Sequence, residues 1–164
     1  MVTDNMRLLW VDDDGEKRFR YERRILQQQG WEVIWAEDID MACSLLTTEE
    51  FGALILDQSL PFIKEFTPTG IEGGYLLLHW LRRGNLPEQF DLPQGDTPSQ
   101  PGPPRPANQR LPVLFVSAYY DEELRWQMEK LNGDSGPVDI VSKPVDQQDL
   151  HRFVARVAEL REAR

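Results

Sequence analysis

The sequence predicts an α/β fold in which a doubly wound, five-stranded parallel sheet lies between two layers of helices. Short apolar runs alternate with stretches of helical periodicity along the chain. The third and fourth runs, ALIL and VLFV, are continuously apolar, which is typical of strands that helices cover on both faces. Strands that alternate with helices in this way form parallel sheets with right-handed crossovers.

The five predicted strands are short and rich in aliphatic, β-branched and aromatic residues, as strands in such sheets are. They are Met6–Val11, Trp31–Ala36, Ala53–Leu56, Val113–Val116 and Val138–Val141.

The predicted helices carry apolar residues three or four positions apart, and several carry signals for their ends. We expect Gly30 to end the first helix, Asp38 to begin the second, and Asp146 with Asp149 to begin the last. The helical segments are Gly15–Gln29, the stretch with Ala42, Leu45 and Leu46, Gly74–Arg83, Asp121–Leu131, and the stretch with Leu150, Phe153, Val154 and Val157.

Size and composition predict a single domain over residues 1–164, because 40% of the residues are hydrophobic and the length suits one core. The net charge of −10 disfavours nucleic acid and anionic membrane surfaces as partners, and the apolar runs are too short to span a bilayer.

Cys43 is the single cysteine and is expected in the core. His79 and His151 are expected to be structural. With no secretion signal, the chain is expected to be cytoplasmic.

Two inserts interrupt the pattern. Residues 62–72 lengthen the connection after the third strand, where they could form a lid, a partner contact or an idle surface loop. Residues 86–110 contain seven prolines and little to bury, so we expect a disordered loop inside the domain. This second insert enters the fourth strand from the opposite edge of the sheet, and a docking segment for a proline-recognising partner is an alternative interpretation.

Acidic residues follow two of the predicted strands. Asp12, Asp13 and Asp14 follow the first strand, and Asp57 follows the third. In parallel sheets these positions share one edge. Carboxylates about 4 Å apart repel by about 4 kcal/mol per pair at an effective dielectric constant near 20, so a cluster requires protonation or a cation. Mg²⁺ is the natural cation, although acidic residues after a strand also serve as helix caps.

Ser117 follows the fourth strand and Lys143 follows the fifth, which places both at the same edge. A carboxylate beside a cation is a competent nucleophile for phosphorus. The ammonium group of Lys143 and the hydroxyl of Ser117 would then contact the phosphoryl oxygens. The combination points to phosphoryl transfer onto Asp57.

The residues resemble those of response-regulator receiver (CheY-like) domains over nearly the whole chain apart from the two inserts. The resemblance lies in LLWVDDD, ALILDQSLP, GGYLLLHWLR, LPVLFVSAYY and VSKPV, in this order and at compatible spacing. It implies a flavodoxin-like (βα)5 fold with strand order 2-1-3-4-5.

The resemblance also implies roles for individual residues. Asp57 would accept the phosphoryl group, and Mg²⁺ would bind Asp12, Asp13, Asp57 and the backbone carbonyl of Ser59. Lys143 and Ser117 would contact the phosphoryl oxygens. The matching structural positions are Pro61, Gly74, Ala118 and Pro144, the last with a peptide bond that is usually cis.

One position departs from the family pattern. Three residues before the lysine, the family usually has an aromatic residue that moves inward when the switch hydroxyl engages the phosphate. Here that position holds Ile140. The usual coupling between hydroxyl and aromatic ring is therefore in doubt, while Ile140 could equally be a core residue of its strand.

The resemblance implies a free-standing regulator that catalyses only its own phosphorylation and dephosphorylation. A sensor histidine kinase or a histidine phosphotransfer protein would donate the phosphoryl group, and an unidentified downstream protein would read it.

One alternative is a binding module on the same fold that does not respond to phosphorylation. A haloacid-dehalogenase-like phosphohydrolase is disfavoured, because it would need a second acid two residues after Asp57, where Ser59 stands. Nucleotide binding is disfavoured because GIEGG does not directly follow a strand.

Overall fold

The computed structural model describes residues 5–60, 73–85, 102–118, 122, 126, 130–131 and 138–163. Its strands form one parallel sheet in the order β2-β1-β3-β4-β5, as predicted. The strands are β1 (Arg7–Val11), β2 (Glu32–Ala36), β3 (Ala53–Asp57), β4 (Val113–Ser117) and β5 (Val138–Ser142).

The helices lie at the predicted positions, with one difference in the first. They are α1 (Gly15–Arg18), α2 (Arg20–Gln28), α3 (Ile39–Thr48), α4 (Gly73–Arg83) and α5 (Gln147–Glu162). The predicted helix at 15–29 is divided at Phe19, whose ring stacks on Trp10 at 4.8 Å between ring centroids. An offset aromatic pair of this kind contributes about 0.5–1.5 kcal/mol beyond the burial of its surface.

The fourth predicted helix, Asp121–Leu131, lies partly outside the described residues. Within it, Glu122, Trp126, Lys130 and Leu131 are helical. Leu131 is buried in the core, as its place in the apolar pattern predicts.

The predicted end signals are confirmed. Gly30 has a φ of 92°, the left-handed conformation that favours glycine after a helix. The carboxylate of Asp38 accepts the backbone N–H of Met41 at 2.7 Å. Asp146 and Asp149 form a reciprocal capping box at the start of α5.

Two apolar clusters cover the faces of the sheet, and alternate strand residues supply them. Leu9 and Val11 belong to the cluster beneath α3 and α4, whereas Leu8 and Trp10 belong to the cluster beneath α2 and α5. Cys43 is buried in the first cluster, and burial raises the pKa of its thiol to about 12. Among the described residues, a helix with the length and apolar character needed to span a bilayer is not found.

The end of the proline-rich insert is ordered, which the sequence analysis did not predict. Pro106–Asn108 form a 3₁₀ helix, and Asn108 is fully buried. The expectation of disorder over 86–110 is therefore wrong for residues 102–110, while 86–101 lie outside the described residues.

Asn108 explains this order through hydrogen bonds to distant backbone. Its side-chain amide donates to the carbonyls of Leu46, at 2.9 Å, and Glu49, at 2.7 Å, and its side-chain oxygen accepts the N–H of Phe51 at 3.1 Å. One side chain thus bonds three backbone groups, one in the last turn of α3 and two in the connection from α3 to β3. Buried backbone groups need such partners, so this contact holds the end of the insert against the domain.

Arg82 in α4 binds the backbone of the segment between Asn108 and β4. Its guanidinium donates to the carbonyls of Gln109, at 2.8 Å, and Leu111, at 2.5 Å. Burial lowers the pKa of Arg82 to about 10. These bonds position the chain just before β4, at the amino edge of the sheet.

We expect Asn108→Ala to lower the free energy of unfolding by about 2–4 kcal/mol, because three backbone groups would lose a hydrogen bond, although the Leu46 carbonyl keeps the one from the N–H of Arg105. Urea unfolding followed by circular dichroism measures this loss. The matched control is Asn85→Ala, since Asn85 is exposed. Equal stability of Asn108→Ala and the control would contradict the assigned anchoring contact.

Candidate functional site

The carboxyl ends of β1, β3, β4 and β5 meet at one edge of the sheet. The parallel register pairs Val11 with Leu56, Asp57 with Val116, and Ser117 with Ser142. Residues at these strand ends therefore lie side by side. We call this side of the sheet the carboxyl edge.

Asp12, Asp13 and Asp57 form an acidic cluster at the carboxyl edge. Each contributes one carboxylate oxygen, and these oxygens lie within 4.8 Å of one another. Asp12 and Asp57 are buried, with 6% and 3% of their surface exposed, whereas Asp13 is exposed. The structure thus brings together the three side chains that the sequence analysis singled out as metal ligands.

Backbone N–H groups hold the two buried carboxylates in place. Asp12 accepts the N–H of Asp14 at 2.9 Å, and Asp57 accepts the N–H of Ser59 at 3.1 Å. The side chain of Asp14 makes no capping hydrogen bond to α1. Helix capping therefore does not account for the acidic triplet after β1.

The acidic cluster carries more negative charge than its surroundings balance. Burial raises the pKa of Asp12 to about 6, and the charges of Asp57 and Asp13 act in the same direction. The N–H of Asp14 and the ammonium group of Lys143 oppose this rise. A bound cation would relieve the imbalance, and three hard oxygen donors fit Mg²⁺.

Lys143 supplies positive charge on the other side of Asp57. Its ammonium nitrogen lies 2.8 Å from a carboxylate oxygen of Asp57. Its backbone N–H donates to the carbonyl of Ser117 at 2.8 Å, and the Lys143–Pro144 peptide bond is cis, as the resemblance implies. Asp57 therefore lies between a lysine and two further carboxylates.

Ser117 is fully buried beside this group, and its hydroxyl donates a hydrogen bond to the side-chain oxygen of Gln58. Sequence reasoning missed this contact. The available signal was that Gln58 directly follows Asp57 and so enters the carboxyl edge beside it. The direction of its side chain depends on β4, which lies more than fifty residues away in the chain.

Other positions named by the sequence analysis are Ser59, Ile140, Pro61 and the insert at 62–72. Ser59 is exposed, and the proposed role of its carbonyl stays a prediction. Ile140 pairs with Phe115 in the sheet, is half-buried and packs against the first apolar cluster. Pro61 and the insert at 62–72 lie outside the described residues.

Gly74 allows α4 to approach the loop after β3. A Cβ atom at this position would clash with the carbonyl oxygen of Asp57 and would lie 2.7 Å from the Cα of Gln58. The N–H of Gly74 donates to the carbonyl of Gln58 at 3.0 Å. A side chain at position 74 would therefore displace the segment that carries Asp57.

Comparison with known proteins identifies the fold. No family model matches the chain, and no curated protein matches it. Solved structures do match. A putative response regulator from Chloroflexus aurantiacus J-10-fl is 24% identical with a TM-score of 0.62, over 93% of this chain and 97% of that one.

Two further solved structures agree. A CheY-like response regulator receiver domain protein from Methanospirillum hungatei JF-1 is 21% identical, with a TM-score of 0.60 over 96% of this chain and 98% of that one. The receiver domain of the Francisella response regulator 1452 is 20% identical, with a TM-score of 0.62 over 96% and 97%. The chain therefore has the CheY-like receiver fold over most of its length, as the resemblance implied.

Replacing Gly74 by alanine should lower the free energy of unfolding by about 1–3 kcal/mol, because the added methyl group overlaps fixed backbone. The matched control is Gly102→Ala, since a Cβ atom at Gly102 would meet nothing within 4 Å. Urea unfolding should show a change below about 0.5 kcal/mol for the control. A Gly74→Ala protein as stable as the control would contradict the close approach of α4.

The raised pKa of Asp12 predicts a pH dependence of stability. The carboxyl holds its proton more tightly in the folded protein, where its pKa is about 6, than at the ordinary value of 3.8. The contribution of Asp12 to the free energy of unfolding is therefore most favourable at low pH. It is lost as the pH rises from about 4 to 6, because the unfolded chain ionises first. The loss amounts to about 3 kcal/mol at 1.4 kcal/mol per pKa unit.

Asp12→Asn should remove this loss, because asparagine keeps the acceptor for the Asp14 N–H without a charge. In EDTA, the free energy of unfolding of Asp12→Asn relative to wild type should increase between pH 4 and pH 7. Asp14→Asn, at an exposed carboxylate, serves as the control. A difference that stays constant across this pH range would show that Asp12 titrates normally.

Proposed function

We propose that this protein is a phosphorylatable receiver that accepts a phosphoryl group on Asp57 in a reaction that depends on Mg²⁺. The observation that supports this most directly is the surroundings of Asp57. Lys143 contacts one of its oxygens at 2.8 Å, and Asp12 and Asp13 approach it with carboxylate oxygens. A buried carboxylate with a fixed cation on one side and metal ligands on the other is arranged for attack on phosphorus.

The acidic cluster is the proposed magnesium site. Asp12, Asp13 and Asp57 would supply carboxylate oxygens, and Ser59 would supply its backbone carbonyl. Mg²⁺ favours a few carboxylate ligands and keeps its other positions for water and phosphate oxygens. When bound, it supplies positive charge that neutralises the carboxylates and the incoming phosphoryl oxygens.

The residues of the chain would carry out the transfer as follows. A carboxylate oxygen of Asp57 attacks phosphorus, an oxygen–phosphorus bond forms, and the phosphorus–nitrogen bond of a phosphohistidine breaks with its electrons passing to the imidazole. The ammonium group of Lys143 stabilises negative charge on the phosphoryl oxygens. The hydroxyl of Ser117 donates a hydrogen bond to one of them. Hydrolysis later restores the Asp57 carboxylate.

A histidine kinase or a histidine phosphotransfer protein is the proposed donor, acting in the cytoplasm. The product carries about 1.5 to 2 additional negative charges at a buried edge, so Ser117 and Lys143 would rearrange around it. We propose that a downstream protein reads the resulting change on the surface formed by the fourth predicted helix, β5 and α5. The chain would then act as a switch in a phosphorelay and turn over no separate substrate.

The rival function is a binding module that does not use phosphorylation. The Ile140 side chain favours it, because a half-buried aliphatic residue replaces the aromatic residue that receiver domains usually use to report phosphorylation. The acidic cluster favours the phosphorylatable switch, because a passive binding surface gains nothing from buried like charges. The two functions differ in whether Asp57 reacts.

The reactive role of Asp57 can be measured by phosphate-affinity electrophoresis after treatment with acetyl phosphate and Mg²⁺. Wild type should show a retarded band that is absent from Asp57→Asn, because asparagine has no nucleophilic carboxylate. Asp40→Asn, at an exposed position of α3, is the matched control and should be retarded like wild type. Equal labelling of wild type and Asp57→Asn would remove Asp57 from this role. An absence of adduct in wild type would favour the binding module.

A further inference from the structure

Gln58 lies between the reactive carboxylate and the buried hydroxyl of Ser117. Its backbone N–H donates to the carbonyl of Val116 at 2.9 Å, and its own carbonyl accepts the N–H of Gly74 at 3.0 Å. These two bonds fix its backbone between β4 and the start of α4. The side chain is therefore the part of Gln58 that can change position.

The side-chain oxygen of Gln58 accepts the proton of the Ser117 hydroxyl. The backbone of Ser117 is fixed by its pairing with Ser142 and by the hydrogen bond between its carbonyl and the N–H of Lys143. Ser117 can therefore redirect its hydroxyl only by rotating its side chain. A hydroxyl has a single proton to donate, so the proton given to Gln58 is withheld from any other acceptor.

A phosphoryl group on Asp57 would require that same proton. We propose that Gln58 is a positioning residue that holds the Ser117 hydroxyl until a phosphoryl oxygen displaces it. This inference rests on the proposed function, since the competition needs a phosphoryl group on Asp57. Gln58 would therefore lower the affinity of the site for a phosphoryl group. When the site is filled, the side-chain amide of Gln58 would lose its hydrogen bond to Ser117.

Ile140 strengthens the case for Gln58 as the group that responds. Its aliphatic side chain contacts the first apolar cluster and has no polar atom to pair with a moving hydroxyl. Gln58 is half-buried at the carboxyl edge, and its amide must find a new partner once Ser117 turns away. In this chain, the first side chain to respond to Ser117 is therefore Gln58, next to Asp57, in place of a residue on β5.

The test is the affinity for beryllofluoride, a phosphoryl mimic, measured with Mg²⁺ by titration calorimetry. Gln58→Met keeps the length of the side chain and removes its acceptor. We expect it to bind beryllofluoride roughly two- to tenfold more tightly than wild type, the range that one net hydrogen bond produces. The affinity for Mg²⁺ alone should change less than about twofold, because the acidic cluster is untouched. General disruption of the site would weaken both.

A double-mutant cycle assigns the effect to the contact itself. In a Ser117→Ala background, Gln58→Met should leave beryllofluoride affinity unchanged within about twofold, because the hydroxyl is gone. Gln58→Asn, whose side chain is shorter by one methylene group, should behave like Gln58→Met and guards against poor folding of one variant. The control Gln109→Met, at a half-exposed glutamine beside the amino end of β4, should match wild type.

Three results would overturn the inference. Unchanged or weaker beryllofluoride binding in both Gln58 variants would show that Gln58 does not compete for the hydroxyl. The same gain in the Ser117→Ala background would show that Gln58 acts without Ser117. Failure of wild type to bind beryllofluoride while it binds Mg²⁺ would overturn both this inference and the proposed function, whereas the first two results leave the proposed function in place.

Discussion

The proposed function depends on the balance of charge among the side chains at the carboxyl edge. Three carboxylates approach one another within 4.8 Å, and Lys143 contacts the most buried of them at 2.8 Å. Because Asp12 and Asp57 are buried, water screens the repulsion between them weakly, and the pKa of Asp12 rises to about 6 because of burial and its charged neighbours. The lysine offsets part of the excess charge. The remainder would favour a bound cation, which the proposed function assigns to Mg²⁺.

The parallel sheet is what brings these charges together. Asp57 and Ser117 end their strands, while Asp12 and Lys143 come directly after theirs, so all four leave the sheet at the same edge. Backbone bonds continue the ladder beyond the strands, from Asp12 to Ala36 at 3.0 Å and from Lys143 to Ser117 at 2.8 Å. The positions of the side chains are therefore fixed by hydrogen-bonded backbone. Such rigidity suits the proposed in-line transfer, because catalysis of that reaction is mainly positioning and charge neutralisation.

Features that depend on local pattern were predictable from the sequence, and those that depend on a distant partner were not. Apolar runs revealed the strands, and glycine and aspartate revealed helix ends. The acidic cluster followed from the topology, because parallel strands place their ends together. By contrast, the buried Asn108 bonds to Leu46, 62 residues away, and the Ser117 hydroxyl bonds to Gln58, 59 residues away. A proline-rich stretch gives no sign of the first contact, and no periodicity encodes the second.

Stabilising contacts lie at the amino edge of the sheet, and the proposed chemistry lies at the carboxyl edge. At the amino edge, Asn108 and Arg82 satisfy buried backbone groups and hold the chain before β4. At the carboxyl edge, the ionised form of Asp12 is disfavoured by burial and by like charges, so the folded state tolerates a local cost there. A domain can tolerate such a cost only when other regions stabilise it. Neutralising Asp12 should therefore strengthen the fold while it weakens the proposed metal site, which is the behaviour of a group retained for chemistry.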